Sequence, residues 1–177
     1  MKTCSLYGFI QAIALAVLTL VLYFLGLHSD PARLGAAKWV GGVGGLAVSV
    51  LCVSLGVRAR RAEMPEADSF AYGRALGAGV LISLVAAILG AVFNYLYLAI
   101  INPGYAEVLL QDQMDRLEAK GLSGAQLDQA EKFTRYFMTP VPMAAYALIG
   151  GFISGVLISL VIAAFLRRPA PAGPPRV

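Results

Sequence analysis

Residues 141–166 read VPMAAYALIGGFISGVLISLVIAAFL, with no Asp, Glu, Lys, Arg or His among them. A run of that length without charge is a membrane-spanning segment, because about 20 apolar residues at ~1.5 Å each cross a ~30 Å hydrocarbon core. Lipid offers no hydrogen-bond partner to an open backbone, so the segment closes its own bonds as a helix. Inside it, Gly155 to Val161 spells GVLISLV, and the same string recurs from Gly79 to Val85. The second copy lies in another uncharged run, about 75–101. Two more such runs occupy about 7–27 and 39–57. The sequence therefore predicts an all-α membrane protein with four transmembrane helices, folded as one domain over 1–168. Residues 169–177, rich in proline, are expected to be a disordered tail.

Composition agrees along the whole chain. Of 177 residues, 59% are hydrophobic and 14% charged, and the mean hydropathy is +0.74. Soluble domains average about 45–50% apolar and about 25% charged. A soluble enzyme, a disordered chain and a disulfide-stapled secreted module are excluded on these values. Cys4 and Cys52 stand at unrelated depths and form neither a disulfide framework nor a zinc site. The first span is too long for a signal-peptide core, and no small-x-small cleavage site follows it, so it is expected to be retained.

The net charge of +4 reports orientation rather than nucleic-acid binding, since the bases sit at span ends. Arg58, Arg60 and Arg61 crowd the end of span 2, and Arg167 and Arg168 abut span 4. The positive-inside rule then places both termini in the cytoplasm. Trp39, Tyr95, Tyr97 and Tyr146 fall near the outer interface in that arrangement. Phe70, Tyr7 and Tyr72 fall near the inner one.

Residues 105–137 read as an outer amphipathic helical hairpin between spans 3 and 4. Asn102-Pro103-Gly104 is a stop-and-turn signal. A first helix to about Lys120 puts Leu110, Met114 and Leu117 on one face, and Gly121 suits its C-terminal stop. Ser123 with Gln126 predicts a capping box for the second helix, which places Leu127, Ala130, Phe133 and Phe137 together. The hairpin serves as a cap on the bundle, a lid or a docking site.

Small residues recur at four-residue spacing in every span. The most extended stripe is Ala147, Gly151, Gly155, Ser159, Ala163 in span 4, and span 3 carries Gly79, Ser83, Ala87 and Ala91. Such stripes let helix backbones approach closely in lipid. Gly79, Ser83, Gly151, Gly155 and Ser159 are therefore the candidate packing or oligomer seam, with span 4 the strongest candidate for an external one. The repeated GVLISLV reads as two helices using Gly and Ser for tight packing. An inverted repeat of the transporter kind is the less favoured reading, because spans 1 and 2 carry no matching echo.

Gly79 and Ser83, the Asn102-Pro103-Gly104 turn, and Gly155 with Ile158-Ser159-Leu160 and Ala163 together resemble a bacterial inner-membrane family known only as a domain of unknown function. The resemblance covers nearly the whole chain and implies four spans with an outer helical segment between the third and fourth. It implies no activity, since the shared residues are turn, capping and packing types.

Catalytic chemistry has no foothold in the sequence. His28 is the single histidine and reads as a solvated pair with Asp30. No ionisable residue lies between the span ends, and no phosphate-binding glycine loop is present. Neither metal nor cofactor is expected. Gln11 and Asn94 are the amides within the spans, placed either to bridge helices or to line a polar path. The expectation is a non-enzymatic accessory or scaffold protein of the inner membrane. Its partners are the lipid bilayer and either a second copy of itself or another membrane protein. The alternative is a small oligomeric pore or solute carrier.

Overall fold

The structure, a computed structural model, describes residues 1–65 and 69–168. Among the described residues the regular elements are all helical. Helix α1 covers Lys2–Phe24 and α2 Leu34–Ala62, entered through a 3₁₀ turn at Pro31–Arg33. Helix α3 covers Tyr72–Leu96 and continues as a π-helical turn at Tyr97–Ile101. Two shorter helices follow, α4 (Tyr105–Glu118) and α5 (Ala125–Phe137), and then α6 (Pro140–Leu166). The expected tail at 169–177 lies outside the described residues.

Four helices are long and apolar enough to cross a membrane. Their most apolar stretches are only 22% buried in α1, α2 and α6, and 33% in α3. A water-soluble helix of such composition would hide most of that surface. Here Phe9, Val17, Leu46, Val92, Leu157 and Val161 point outward, more than half open, as side chains solvated by lipid tails do. Helix α3 carries the largest buried share.

Local chemistry sets the ends. Helix α1 stops three residues before the expected limit because Gly26 takes φ +72. There the Leu27 amide bonds the Leu22 carbonyl and the Gly26 amide bonds Tyr23, which satisfies the last free carbonyls. Asp30 accepts from the Ala32 amide at 2.9 Å, with Pro31 at the first helical position. Helix α2 runs on past its apolar part to Ala62, carrying Arg60 and Arg61 in its last turn, where cations offset the helix dipole. Gly121, at φ +91, ends α4 with the same pattern of bonds, Leu122 to Leu117 and Gly121 to Glu118. The capping box expected at Ser123 does not form. Gly124 is the N-cap of α5, and no side chain caps it. Its backbone turns so that the Gly124 carbonyl takes the Leu127 and Asp128 amides.

The helices group into two compact units. Of the described residues, the first comprises 1–14, 46–65, 69–89 and 150–168. Its core gathers Val53, Val57, Phe70, Ile82 and Ile162. Glycines bring backbones close here. A methyl group at Gly8 would lie 2.7 Å from the Ile82 carbonyl oxygen, and one at Gly56 would lie 2.5 Å from Ile82 Cδ1. Cys4 and Cys52 are buried free thiols, packed as small apolar side chains. The second unit comprises Leu15–Gly45 and Gly90–Ile149. In it, Gly41, Gly44 and Gly45 of α2 meet Leu22, Leu18 and Leu15 of α1, respectively. Helix α4 packs on α5 and on the 3₁₀ turn.

Candidate functional site

The proposed seam residues meet one another within the first unit. A methyl group on Gly79 would lie 2.6 Å from Ser159 Oγ, and one on Gly155 would lie 2.5 Å from Ser83 Oγ. One on Gly151 would lie 3.8 Å from the Ala87 side chain. These pairs run in opposite directions along α3 and α6, so the helices are antiparallel with a single register. The two copies of GVLISLV lie across from each other, glycine to serine both ways. Each serine turns its hydroxyl back on its own helix: Ser83 donates to the Gly79 carbonyl at 2.9 Å and Ser159 to the Gly155 carbonyl at 2.7 Å. Both hydroxyls are thereby satisfied without crossing the interface, leaving only their small bulk there. The span 4 stripe, read from sequence as packing or, if any stripe is external, as the strongest candidate for it, is turned onto α3 at Gly151, Gly155 and Ser159.

The two span amides are placed separately. Gln11, in the first unit, is 4% exposed. Its Nε2 donates to Ser49 Oγ at 3.2 Å, while its Oε1 is buried with no hydrogen-bond partner. Asn94, in the second unit, likewise has a buried Oδ1 without a partner.

The Asn102-Pro103-Gly104 turn does more than stop a helix. Asn102 closes the π-helical turn, its amide bonding the Tyr97 carbonyl at 2.7 Å. Its side-chain Nδ2 donates to Tyr97 Oη at 3.0 Å. The Tyr105 amide in turn bonds the Asn102 carbonyl at 3.1 Å. Gly104 is right-handed, φ −73, so its conformation does not require glycine.

Tyr97 leads to a site that the sequence reading missed. His28 is buried, not solvated, and its Nδ1 lies 2.6 Å from Tyr97 Oη. Asp30, its expected partner, instead caps the 3₁₀ turn and faces Arg33. The His28 ring stacks on Tyr105 at 4.4 Å between centroids, and Tyr97 makes edge contacts with Tyr23 and Tyr105. Burial pushes the His28 pKa down, so the ring is neutral at pH 7. Tyr97 is 1% exposed, and its hydroxyl proton needs an acceptor. His28 Nδ1 is the acceptor at hand, which fixes the tautomer with the proton on Nε2. The chain runs Asn102 amide to Tyr97 hydroxyl to His28 ring, tying the α1–α2 loop to the end of α3.

A charged group adjoins this cluster in the same unit. Asp112 of α4 takes Lys38 Nζ at 2.6 Å and Arg116 Nε at 3.1 Å. Burial works to raise its pKa, but the two cationic donors outweigh that and hold the carboxyl below its usual range. The Tyr105 pKa is pushed up to about 12 by burial, with Tyr97 and the Asp112 charge adding to it. Across α4 and α5, Arg135 holds Glu107 with both guanidinium nitrogens, at 2.9 and 3.1 Å. Helix α5 turns Phe133 and Tyr136 outward, 68% and 69% exposed. No residue of α5 is buried, and Leu127 and Ala130 are only half-buried beside the exposed Phe133. Among the described residues no three His, Cys, Asp or Glu side chains group as metal ligands.

His28 and the tyrosines are far apart in sequence and follow no helical period. The one available signal was topological: the loop after span 1 and the turn after span 3 end at the same level when spans are counted off. Neither a curated protein nor a solved structure matches the chain. The model of one family, described as protein of unknown function (DUF4199), matches residues 6–168. With nearly its whole length matched, four membrane-length helices included, the chain belongs to the DUF4199 family.

Proposed function

We propose that this protein is a non-enzymatic accessory or scaffold component of a bacterial inner membrane, with both termini cytoplasmic. The observation that carries the reading is the reciprocal glycine–serine seam between α3 and α6. It spends the small and hydroxyl-bearing residues of two spans on rigid internal packing, as a fixed frame requires. The docking element of that frame is α5, whose exposed Phe133 and Tyr136 stand beside charged groups clamped by Arg135. Large apolar side chains on a polar helix are the usual anchors of a protein contact. The arginines at the ends of α2 and α6 support the orientation.

Native mass spectrometry of the protein extracted with its lipids tests this. A discrete complex, with a second copy or another membrane protein, is expected. It should disperse in the Phe133→Ser/Tyr136→Ser variant while thermal unfolding of the remaining subunit is unchanged. A lone monomer that co-purifies with nothing overturns the reading.

One observation favours a second reading, a small oligomeric pore or solute carrier. Gln11 Oε1 and Asn94 Oδ1 are buried acceptors without partners, and such groups cost about 1–3 kcal/mol each unless a polar solute or water meets them. Liposomes carrying the protein would then pass ions or small polar solutes, and Gln11→Leu would slow them. Absence of flux removes this reading.

A further inference from the structure

In the first unit, a cavity of about 480 Å³ lies among the start of α1, the end of α2 and the first turns of α3. Its walls are mostly apolar, formed by Met1, Cys4, Phe70, Ala78 and Leu81 among others, and its charged side chains are Arg60 and Arg74. The two arginines differ. Arg60 holds Glu63 at 2.5 Å, and the Thr3 hydroxyl bonds the same carboxylate, so its charge is largely answered. Arg74 donates to the Ser69 carbonyl at 3.1 Å and meets no carboxylate among the described residues.

Helix geometry turns this into a track. Arg74, Gly77, Ala78 and Leu81 are spaced as one face of α3. They lead from a cation in the first turn about 10 Å along the axis into apolar surface, at ~1.5 Å per residue. Gly77 has nothing within 4 Å of where a side chain would start, so the track is open there. Phe70, the fixed wall, is pinned by two backbone bonds with Arg168, at 3.0 and 2.8 Å. A guanidinium that meets no carboxylate among the described residues, at the mouth of an apolar cavity at the end of membrane-length helices, matches one ligand chemistry: an anionic phosphate joined to a hydrocarbon chain.

We propose that this cavity binds an anionic phospholipid, its phosphate on Arg74 and its acyl chain along Gly77, Ala78 and Leu81. The inference rests on the membrane placement of the four helices and not on the scaffold role. Fork-shaped hydrogen bonding suits arginine to a phosphate, and basic pockets beside spans are recognised lipid headgroup sites.

The test uses the full chain, stripped of lipid in a neutral detergent and titrated with dioleoyl phosphatidylglycerol, dioleoyl phosphatidylcholine or inorganic phosphate. Native mass spectrometry counts bound lipid, and thermal unfolding of the same samples verifies the fold. Phosphatidylglycerol should remain bound where phosphatidylcholine is lost. Arg74→Gln should cut its occupancy about fivefold, the worth of one basic residue, and Arg74→Lys should restore part of it. Gly77→Leu, which fills the track and leaves the charge alone, should lower it as well, while Arg33→Gln in the other unit should not. Equal retention of the two lipids overturns the proposal, as does phosphatidylglycerol occupancy indifferent to Arg74→Gln and Gly77→Leu. Inorganic phosphate displacing the lipid at comparable concentration would assign the site to free phosphate and overturn the lipid. Lipid adducts and subunit number appear as separate masses, so failure here is distinct from failure of the scaffold reading.

Discussion

His28 shows how much one side chain can carry. Its ring stacks on Tyr105 and accepts the buried Tyr97 hydroxyl proton, and the second role needs it neutral. Protonation places a donor where an acceptor is required. The sign follows by linkage. The folded-state pKa is depressed below the ordinary 6.5, so the unfolded chain takes up the proton first. Stability is full above about 6.5 and falls as pH drops through that value toward the folded pKa. Thermal unfolding in detergent between pH 7.5 and pH 5, as set on the buffer scale, should show that decline. His28→Phe should remove most of it while lowering stability at pH 7.5 by about 1–3 kcal/mol, because Tyr97 loses its acceptor. An unaltered pH slope in the variant would show that His28 does not set it.

At the scale of helices, the α3–α6 seam is governed by size rather than polarity. Gly155→Ala puts a methyl group against Ser83, where the neighbouring atoms stand 2.4 and 2.5 Å away. A cost of about 1–3 kcal/mol is expected for such overpacking. Adding Ser83→Gly should return much of it, a coupling that a double-mutant cycle reads directly. Simple addition of the two losses would mean that the helices relax apart instead. The four long helices were legible because lipid allows an uncharged run of that length one structure. The seam was legible as packing, since glycine and serine four residues apart have few other uses in a span. Its register was not, because a stripe names a face and not the face opposite. The His28 site was hidden for a different reason: its partner Tyr97 lies 69 positions away, and the π-helical turn at Tyr97–Ile101 shifts the side-chain phase just where helical counting would have been applied. Where Ser123 promised a cap, the positive-φ Gly124 supplied another route.

For the whole molecule, the proposed orientation makes a claim about sides. Under that proposal four crossings return the chain to the face it left, with the termini on one side and the α4–α5 connection on the other. In a background with Cys4→Ala and Cys52→Ala, Lys120→Cys should react with an impermeant maleimide added outside intact cells. Arg167→Cys should react only after the membrane is opened. The reverse pattern would invert the assignment drawn from the arginines.

The mirrored strings of α3 and α6 bear on assembly. A surface that fits its own copy head to tail is a ready-made homodimer face in water. In a membrane, every chain inserted the same way presents α3 pointing the same direction, so α3 of one molecule cannot seat on α3 of the next. Of the two seam helices, only an α6 runs the right way. The match is thus self-complementary yet barred from pairing like with like, and the sole misassembly left open to it is a swap, α3 of one chain clasping α6 of another. The α4–α5 segment, residues 102–139, tethers each chain's own α6 to its α3, and the high effective concentration that results favours the proper pairing.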